Sequence, residues 1–492
     1  MPSPLHVAIP AAAHPYWRAA LQRSGVPTAS LDANTGPEST LFLPDAGDHD
    51  SPAQRQHVVR LHRAGAPVLA GTAWAQTLDM PTRLHWFGSA DPGAVLAART
   101  TPAPLAILDL PSAERLLRPA ASLARRTGPG GLAVREVLAD VDHGALRRRV
   151  ERALCHLAHT AGRPFARFAH HPGAYRQTLA IRIDADGFRA AATAALRASL
   201  QRANLRSTWF VDVERHARGD GLAGLADLAA DGHELQSHGF RHYTYRSRAR
   251  NERNLRRSAA ALAAFGVRAT ATAAPFGTWN PGFEQAVRAL GWTWSSEFSR
   301  VHDDVPGPLG GTPDEPWQVP VHPICPALLF AAGAGVAEVH AWFLAELAAC
   351  RERGEPAVFY GHPIDDLERC PDLLPELAVA ARAAGPLWQP TLGELVAFHR
   401  ERSTSTLTAR STATGIEIES SGPAALQVQM PDGSEQWVLG RGTAAALEPA
   451  AAPNAADSAL LVPQPRRRVR ADRAPLRTKK LQLARLWREL KR

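Results

Sequence analysis

Three segments in the middle of this 492-residue chain carry side chains whose types and spacing suit metal-assisted hydrolysis. The first is I-R-I-D-A-D-G, in which Asp184 and Asp186 stand two apart. On a strand that spacing sends both carboxylates off one face, where they repel unless a cation or a shared proton relieves them. A strand-end pair capping the turn before Gly187 is the plain alternative. The second segment, G-H-E-L-Q-S-H-G-F-R-H, sets His238 and His242 four apart. That spacing lets two imidazoles converge on one ion from a helical turn or tight loop, and a pair of surface histidines is the alternative. The third, A-V-F-Y-G-H-P, delivers His362 at the C-terminal end of a buried strand, where an isolated histidine is more often a hydrogen-bonded core residue. Together one Asp and two His make three ligands of a catalytic zinc site with an open fourth position.

Alternating strands and helices must position these groups. Within 177–402, strands are expected at 179–184, 206–211 and 357–362, and helices at Ala190 to Ala203 and Asn251 to Phe265. Residues 1–133 read as a separate α/β domain, with strands in L-H-V-A-I-P and at 39–44, 66–71 and 105–110, and helices at Pro15 to Arg23 and Gln54 to Ala64. Its order is similar to flavodoxin-like and class I amidotransferase-like folds, but no cysteine falls in the first 150 residues, so a glutaminase nucleophile is absent. Residues 134–176 form a connector, helical and Arg-rich over 134–162. Residues 403–447 alternate apolar and polar with period two around the turn P-D-G-S, which predicts a small antiparallel β domain. An Ala/Pro-rich linker follows at 448–465 and a basic amphipathic tail at 466–492.

With those motifs in order, residues 177–402 resemble the polysaccharide deacetylase family (carbohydrate esterase family four), metal-dependent hydrolases on a distorted (β/α) barrel. G-H-E-L-Q-S-H-G-F-R-H is similar to the family's second motif, A-A-P-F-G (273–277) stands where it has R-x-P-Y-G, and A-V-F-Y-G-H-P matches its last motif. The D-x-D spacing is similar to that of deformylases of lipid-linked aminoarabinose. The resemblance implies that Asp186, His238 and His242 bind a divalent metal, with Zn2+ the first choice. It implies Asp184 as general base, His362 as the acid for the leaving amine, and the backbone N–H of Phe276 at the oxyanion. The sequence also departs from the family. The arginine that orients the base is Ala273 here, with Arg182 and Arg241 the nearest replacements; the fourth motif is echoed only by W-T-W-S-S-E (292–297); and Gly239 stands where Ser or Thr is usual. The implied activity is removal of an N-acetyl or N-formyl group from an amino sugar, or from a lipid- or nucleotide-linked saccharide, in surface-glycan synthesis. A degenerate carbohydrate-binding scaffold and a hydrolase of non-sugar amides remain open.

Other chemistry-bearing residues read as structural. His322 and Cys325 form an H-x-x-C set among prolines, where packing is the simpler role, although His322 could line the pocket. His233 suits a strand cap, and Trp279, Trp292 and Trp294 suit packing at least as well as stacking on sugar faces. Cys155, Cys325, Cys350 and Cys370 make no close pair and read as reduced cytosolic thiols. The N-terminus lacks the basic and apolar regions of a signal peptide, so a cytoplasmic location is expected. The net charge of +9 belongs to the tail: residues 466–492 hold twelve Lys/Arg against Asp472 and Glu489, leaving the remainder near −1. Within 475–492, Leu476, Leu483, Leu486, Trp487 and Leu490 recur at helical spacing opposite the basic residues. Such a helix suits the anionic inner leaflet of a membrane, a protein partner, or a solubilising tail. No second basic patch supports nucleic acid.

Overall fold

The computed structural model describes residues 5–44, 51–74, 77–78, 95–99, 103–118, 121–217, 221–311, 315–412 and 415–445. The expected linker and basic tail lie outside the described residues.

The N-terminal segment builds a six-stranded sheet from β1 (Val7–Pro10), β2 (Thr28–Leu31), β3 (Thr40–Leu43), β4 (Val68–Gly71), β5 (Val95–Arg99) and β6 (Leu105–Leu108). Their order is β2-β1-β3-β4-β6-β5, all parallel except β5 at the edge. This is a doubly wound order, and the buried residues alternate accordingly. Val7, Ile9 and Phe42 face the helices Pro15–Ser24 and His143–Thr160, while Ala8, Leu41 and Leu43 face the helix Pro52–Arg63.

The connector differs from expectation. A helix from residue 134 does not form, because Ala121–Thr127 (β7) and Ala133–Ala139 (β8) pair antiparallel along seven residues each. The helix starts only at His143, where the Asp142 carboxylate accepts from the N–H of Ala145 at 2.8 Å. Phe165–Pro172 (β9) then leads into the barrel.

That barrel is a parallel sheet of β10 (Gln177–Ala185), β11 (Ser207–Val211), β12 (Glu234–Ser237), β13 (Ala271–Thr272), β14 (Trp294–Ser295), β15 (Trp317–Gln318) and β16 (Ala357–Gly361), with β17 (Leu387–Trp388) on β10. All nine residues of β10 are buried, as befits a strand with neighbours on both sides and packing on both faces. The strands run in the order β15-β14-β13-β12-β11-β10-β16, and the N–H of His322, just past β15, donates to the Val358 carbonyl on β16 at 2.8 Å. One bond thus brings the two ends of the sheet together. Helices flank the outside; in Ala190–Ala203 the apolar stripe Ala192, Leu196, Leu200 and Ala203 faces inward.

The C-terminal strands β18 (Leu407–Thr412), β19 (Gly415–Ser420), β20 (Ala424–Gln429), β21 (Glu435–Val438) and β22 (Arg441–Ala445) do not form one sheet. The arrangement is β18-β19-β22 and β21-β20-β9, so the connector strand completes the second sheet. The P-D-G-S turn does join β20 to β21, with Gly433 at φ +84°. The chain through Pro453 clusters as one compact unit.

Candidate functional site

β10 ends in Arg182, Asp184 and, just beyond it, Asp186; β12 ends next to His238; and β16 ends next to His362. In a parallel barrel these C-terminal ends gather at one mouth. Here they bring together all five side chains that the sequence singled out.

Asp186 Oδ1 lies 3.2 Å from His238 Nε2 and 3.0 Å from His242 Nε2, and the two nitrogens are 3.1 Å apart. The ring of His238 is oriented by its other nitrogen, which donates to the Ala273 carbonyl at 2.7 Å. In the neutral ring that bond leaves Nε2 with a lone pair for a metal ion. Asp186 Oδ1 is correspondingly buried without a hydrogen-bond partner among the described residues. Two imidazole nitrogens and a carboxylate oxygen facing one point suit a cation. Donors on a tetrahedron of ~2.0–2.1 Å bonds stand about 3.3 Å apart, close to what is found. The residues therefore fit a divalent metal. Burial alone would lift the Asp186 carboxyl, but His238 and His242 hold it well below the usual range.

The loop between the two histidines is fixed by its backbone. Gly239 takes φ +85°, and an added Cβ would meet Asn254 Nδ2 at 2.8 Å and the Arg241 carbonyl at 2.9 Å. Asn254 closes the loop by accepting from the Arg241 N–H at 2.8 Å and donating to the Arg241 carbonyl at 3.1 Å. A serine or threonine would not fit this path, which accounts for the glycine.

Asp184 is clamped by Arg182, whose Nε and Nη2 donate to its two oxygens at 2.6 Å each. The guanidinium is wholly buried, lies between the rings of Phe210 and Tyr360 at 5.3 Å from each, and donates through Nη1 to Ser296. Of the two arginines that could replace the missing one, Arg182 does so; Arg241 instead points toward Glu214 at 3.4 Å. Burial pushes Asp184 up, but Arg182 prevails and keeps it below the ordinary carboxylate value.

His362 has its Nδ1 2.8 Å from Asp366 Oδ2, and its Nε2 faces the metal ligands, 3.8 Å from Asp186 Oδ2. Asp366 is fully buried and also accepts the backbone N–H groups of His362 and Leu367. Burial works against a charged imidazole here, yet Asp366 and then Cys325 hold it well above its usual pKa. Asp366 was missed in the sequence, although an acid four residues past a strand-end histidine was the available signal. The W-T-W-S-S-E segment does not orient His362. Its Glu297 accepts from Ser295 and the Ala274 N–H instead, and burial pushes it up to about 7. Asp212, at the end of β11, is a second missed carboxyl, raised to about 6 by burial.

Phe276 forms the rim. It holds φ +59°, unusual for a non-glycine residue, and its half-exposed ring packs 4.7 Å from that of His242. The rest are structural: His233 accepts from the N–H of Ser207, and His322 uses both ring nitrogens, on Asp303 and Trp342. Trp279, Trp292 and Trp294 are buried in apolar clusters. Cys325 lies not with His322 but beside His362 and Asp366.

Residues 175–294 match the family model described as polysaccharide deacetylase. That segment is similar to polysaccharide deacetylases, a family of deacetylase-type hydrolases of carbon–nitrogen bonds. Among solved structures, the chain is similar to a protein of Mycobacterium smegmatis described as a polysaccharide deacetylase, at 18% identity and TM-score 0.40 over 49% of this chain and 97% of that one. It is similar to another so described from Pseudomonas aeruginosa PAO1, at 17% and 0.41 over 48% and 94%. A family 4 acetyl xylan esterase from Clostridium thermocellum, in complex with a cobalt ion, shares 14% at TM-score 0.34 over 45% and 91%. No curated protein matches the chain.

Proposed function

We propose that the protein is a metal-dependent N-deacylase that removes an acetyl or formyl group from an amino sugar. The observation that carries this reading is the pairing of opposite states around one point. Asp184 is kept ionised by Arg182, and His362 is kept protonated by Asp366, on either side of three converging ligands. Asp186, His238 and His242 would hold a divalent ion, Zn2+ in the first instance, which would supply Lewis-acid polarisation there. Asp184 then takes the proton from water, which the arginine fork leaves it geometrically fixed to do. His362 gives its Nε2 proton to the departing amine, and Asp366 carries the compensating charge behind it. The Phe276 N–H, in its left-handed turn, would donate to the oxyanion.

The reading extends to a saccharide substrate linked to lipid or nucleotide in surface-glycan synthesis, and to a cytoplasmic enzyme whose residues 475–492 touch the inner leaflet. Among the described residues no helix is long and apolar enough to cross a membrane. The test is acyl release from a panel of N-acetylated and N-formylated amino sugars, free and lipid- or nucleotide-linked, with cyclic amides as the contrast. Release from at least one amino sugar is expected. Saccharide binding with no release under any divalent metal would instead mark a binding scaffold, and turnover of the cyclic amides alone would assign a different substrate class. Co-sedimentation with anionic vesicles, lost on deleting 475–492, checks the membrane contact.

A further inference from the structure

A cavity of ≈ 320 Å³ that shares no residue with the catalytic site is lined by Arg115, Arg118, Ser122, Asp140, His143 and Arg300. Its walls come from four places: the stretch just after β6, the hairpin strand β7, the start of the helix His143–Thr160, and the barrel loop after β14. Three guanidinium groups face one carboxylate. Arg300 is only 7% exposed and donates to the Leu117 carbonyl at 3.2 Å. Glu284 and Glu315 act on its charge without forming an ion pair, so its burial stays costly and an anion at closer range would complete it. Arg115 and Arg118 are exposed at the cavity wall, and no described residue takes a hydrogen bond from either side chain.

His143 adds a neutral wall. Its Nδ1 is engaged by the Tyr16 hydroxyl at 2.9 Å, which leaves Nε2 for a ligand. Burial, then Arg300 and Arg23, push the ring down to about 3, so it adds no charge of its own. The lining side chains, three arginines against Asp140, therefore sum to about two positive charges in a concavity the size of a small molecule.

We propose that this cavity binds a small oxyanion of the phosphate type, with Arg115 and Arg118 closing on it from the surface and Arg300 below. Guanidinium forks match the paired oxygens of such a group, and two net positive charges match a dianion. The neighbouring chain links the pocket to the catalytic rim: Arg300 follows Ser299, whose hydroxyl donates to the Gly277 carbonyl and accepts from the Trp279 N–H at 2.9 Å, next to Phe276.

Calorimetric titration of the full-length protein with inorganic phosphate, at fixed ionic strength, tests this. Saturable binding near one equivalent is expected, and Arg115→Gln with Arg118→Gln should weaken it about tenfold or more. Both side chains are exposed, so the double variant should fold, and an unchanged melting temperature without phosphate checks that. Arg300→Gln should weaken binding as well. His242→Ala should leave it unchanged, which separates this pocket from the proposed metal centre. Absence of saturable binding, equal affinity in the double arginine variant, or loss of binding in His242→Ala would overturn the proposal.

Discussion

In the proposed mechanism Asp184 and His362 act in opposite senses, and each has a charged partner close in sequence. Arg182 lies two residues before the proposed base and Asp366 four residues after the proposed acid. Replacing Arg182 by Met should cut kcat about 100-fold or more while bound metal is retained, as metal analysis and kinetics on the same preparation would report. Burial would then act on Asp184 against His238 and His362 alone, so its pKa should rise and the acidic limb of kcat/KM should move to higher pH. Asp366→Asn should act on the other limb. His362 loses the partner that raises its pKa, deprotonates sooner, and the alkaline limb should move to lower pH. A shift of the wrong limb in either variant would reverse the assignment of base and acid. The convergence of Asp186, His238 and His242 was legible because D-x-D and H-x-x-x-H are short, fixed spacings. The orienting partners were less so. That Arg182 rather than Arg241 takes the clamp depends on its burial between Phe210 and Tyr360 beside Ser296, which brings three separate strands and loops together.

At the scale of elements, the turn between the metal histidines is the most constrained piece. Gly239 at φ +85° leaves no room for a Cβ beside Asn254 and the Arg241 carbonyl. Gly239→Ala should therefore destabilise the fold by about 1–3 kcal/mol and weaken metal binding at least tenfold; thermal melts and competition with a chelator would read the two separately. An alanine variant with wild-type metal affinity would mean that the turn does not set the ligand geometry. The long buried strands β10, β11 and β16 were readable from their apolar runs. Strands of two to four residues, such as β12 to β15, are too short to show a period and are held by barrel neighbours instead. The β7–β8 hairpin and the pairing of β9 with β20 also escaped a local reading, the first because its alternation is weak and the second because the partners are some 250 residues apart.

Across the whole molecule, the helix after β8 is tied to the barrel by a buried ion network. Arg147 donates to Asp304 at 2.6 Å and also pairs with Glu355 and Glu151, and Arg23 lies 3.6 Å from Asp304. Burial opposes the charge on Asp304, but Arg147 and Arg23 bring its pKa down to about 2. Because the folded value lies below the unfolded one of ~3.9, this stabilisation is present above about pH 4 and is lost as pH falls toward about 2. Acid unfolding should fall in that window, and Asp304→Ala should cost about 3–5 kcal/mol by leaving Arg23 without a carboxylate and Arg147 with only Glu355 and Glu151, as denaturant melts would measure. An acid transition unchanged in that variant would remove the network from the stability account. The network leaves the catalytic mouth to the metal ligands, and the central claim concerns them. Its most direct test is to strip the protein with a chelator, restore Zn2+ stepwise, and follow acyl release from an N-acylated amino sugar against bound metal. Activity should be absent in the stripped protein, return in proportion to metal up to about one equivalent, and fail to return when His238 and His242 are both alanine. Full turnover by the metal-free protein, or unchanged metal content in that double variant, would contradict the account.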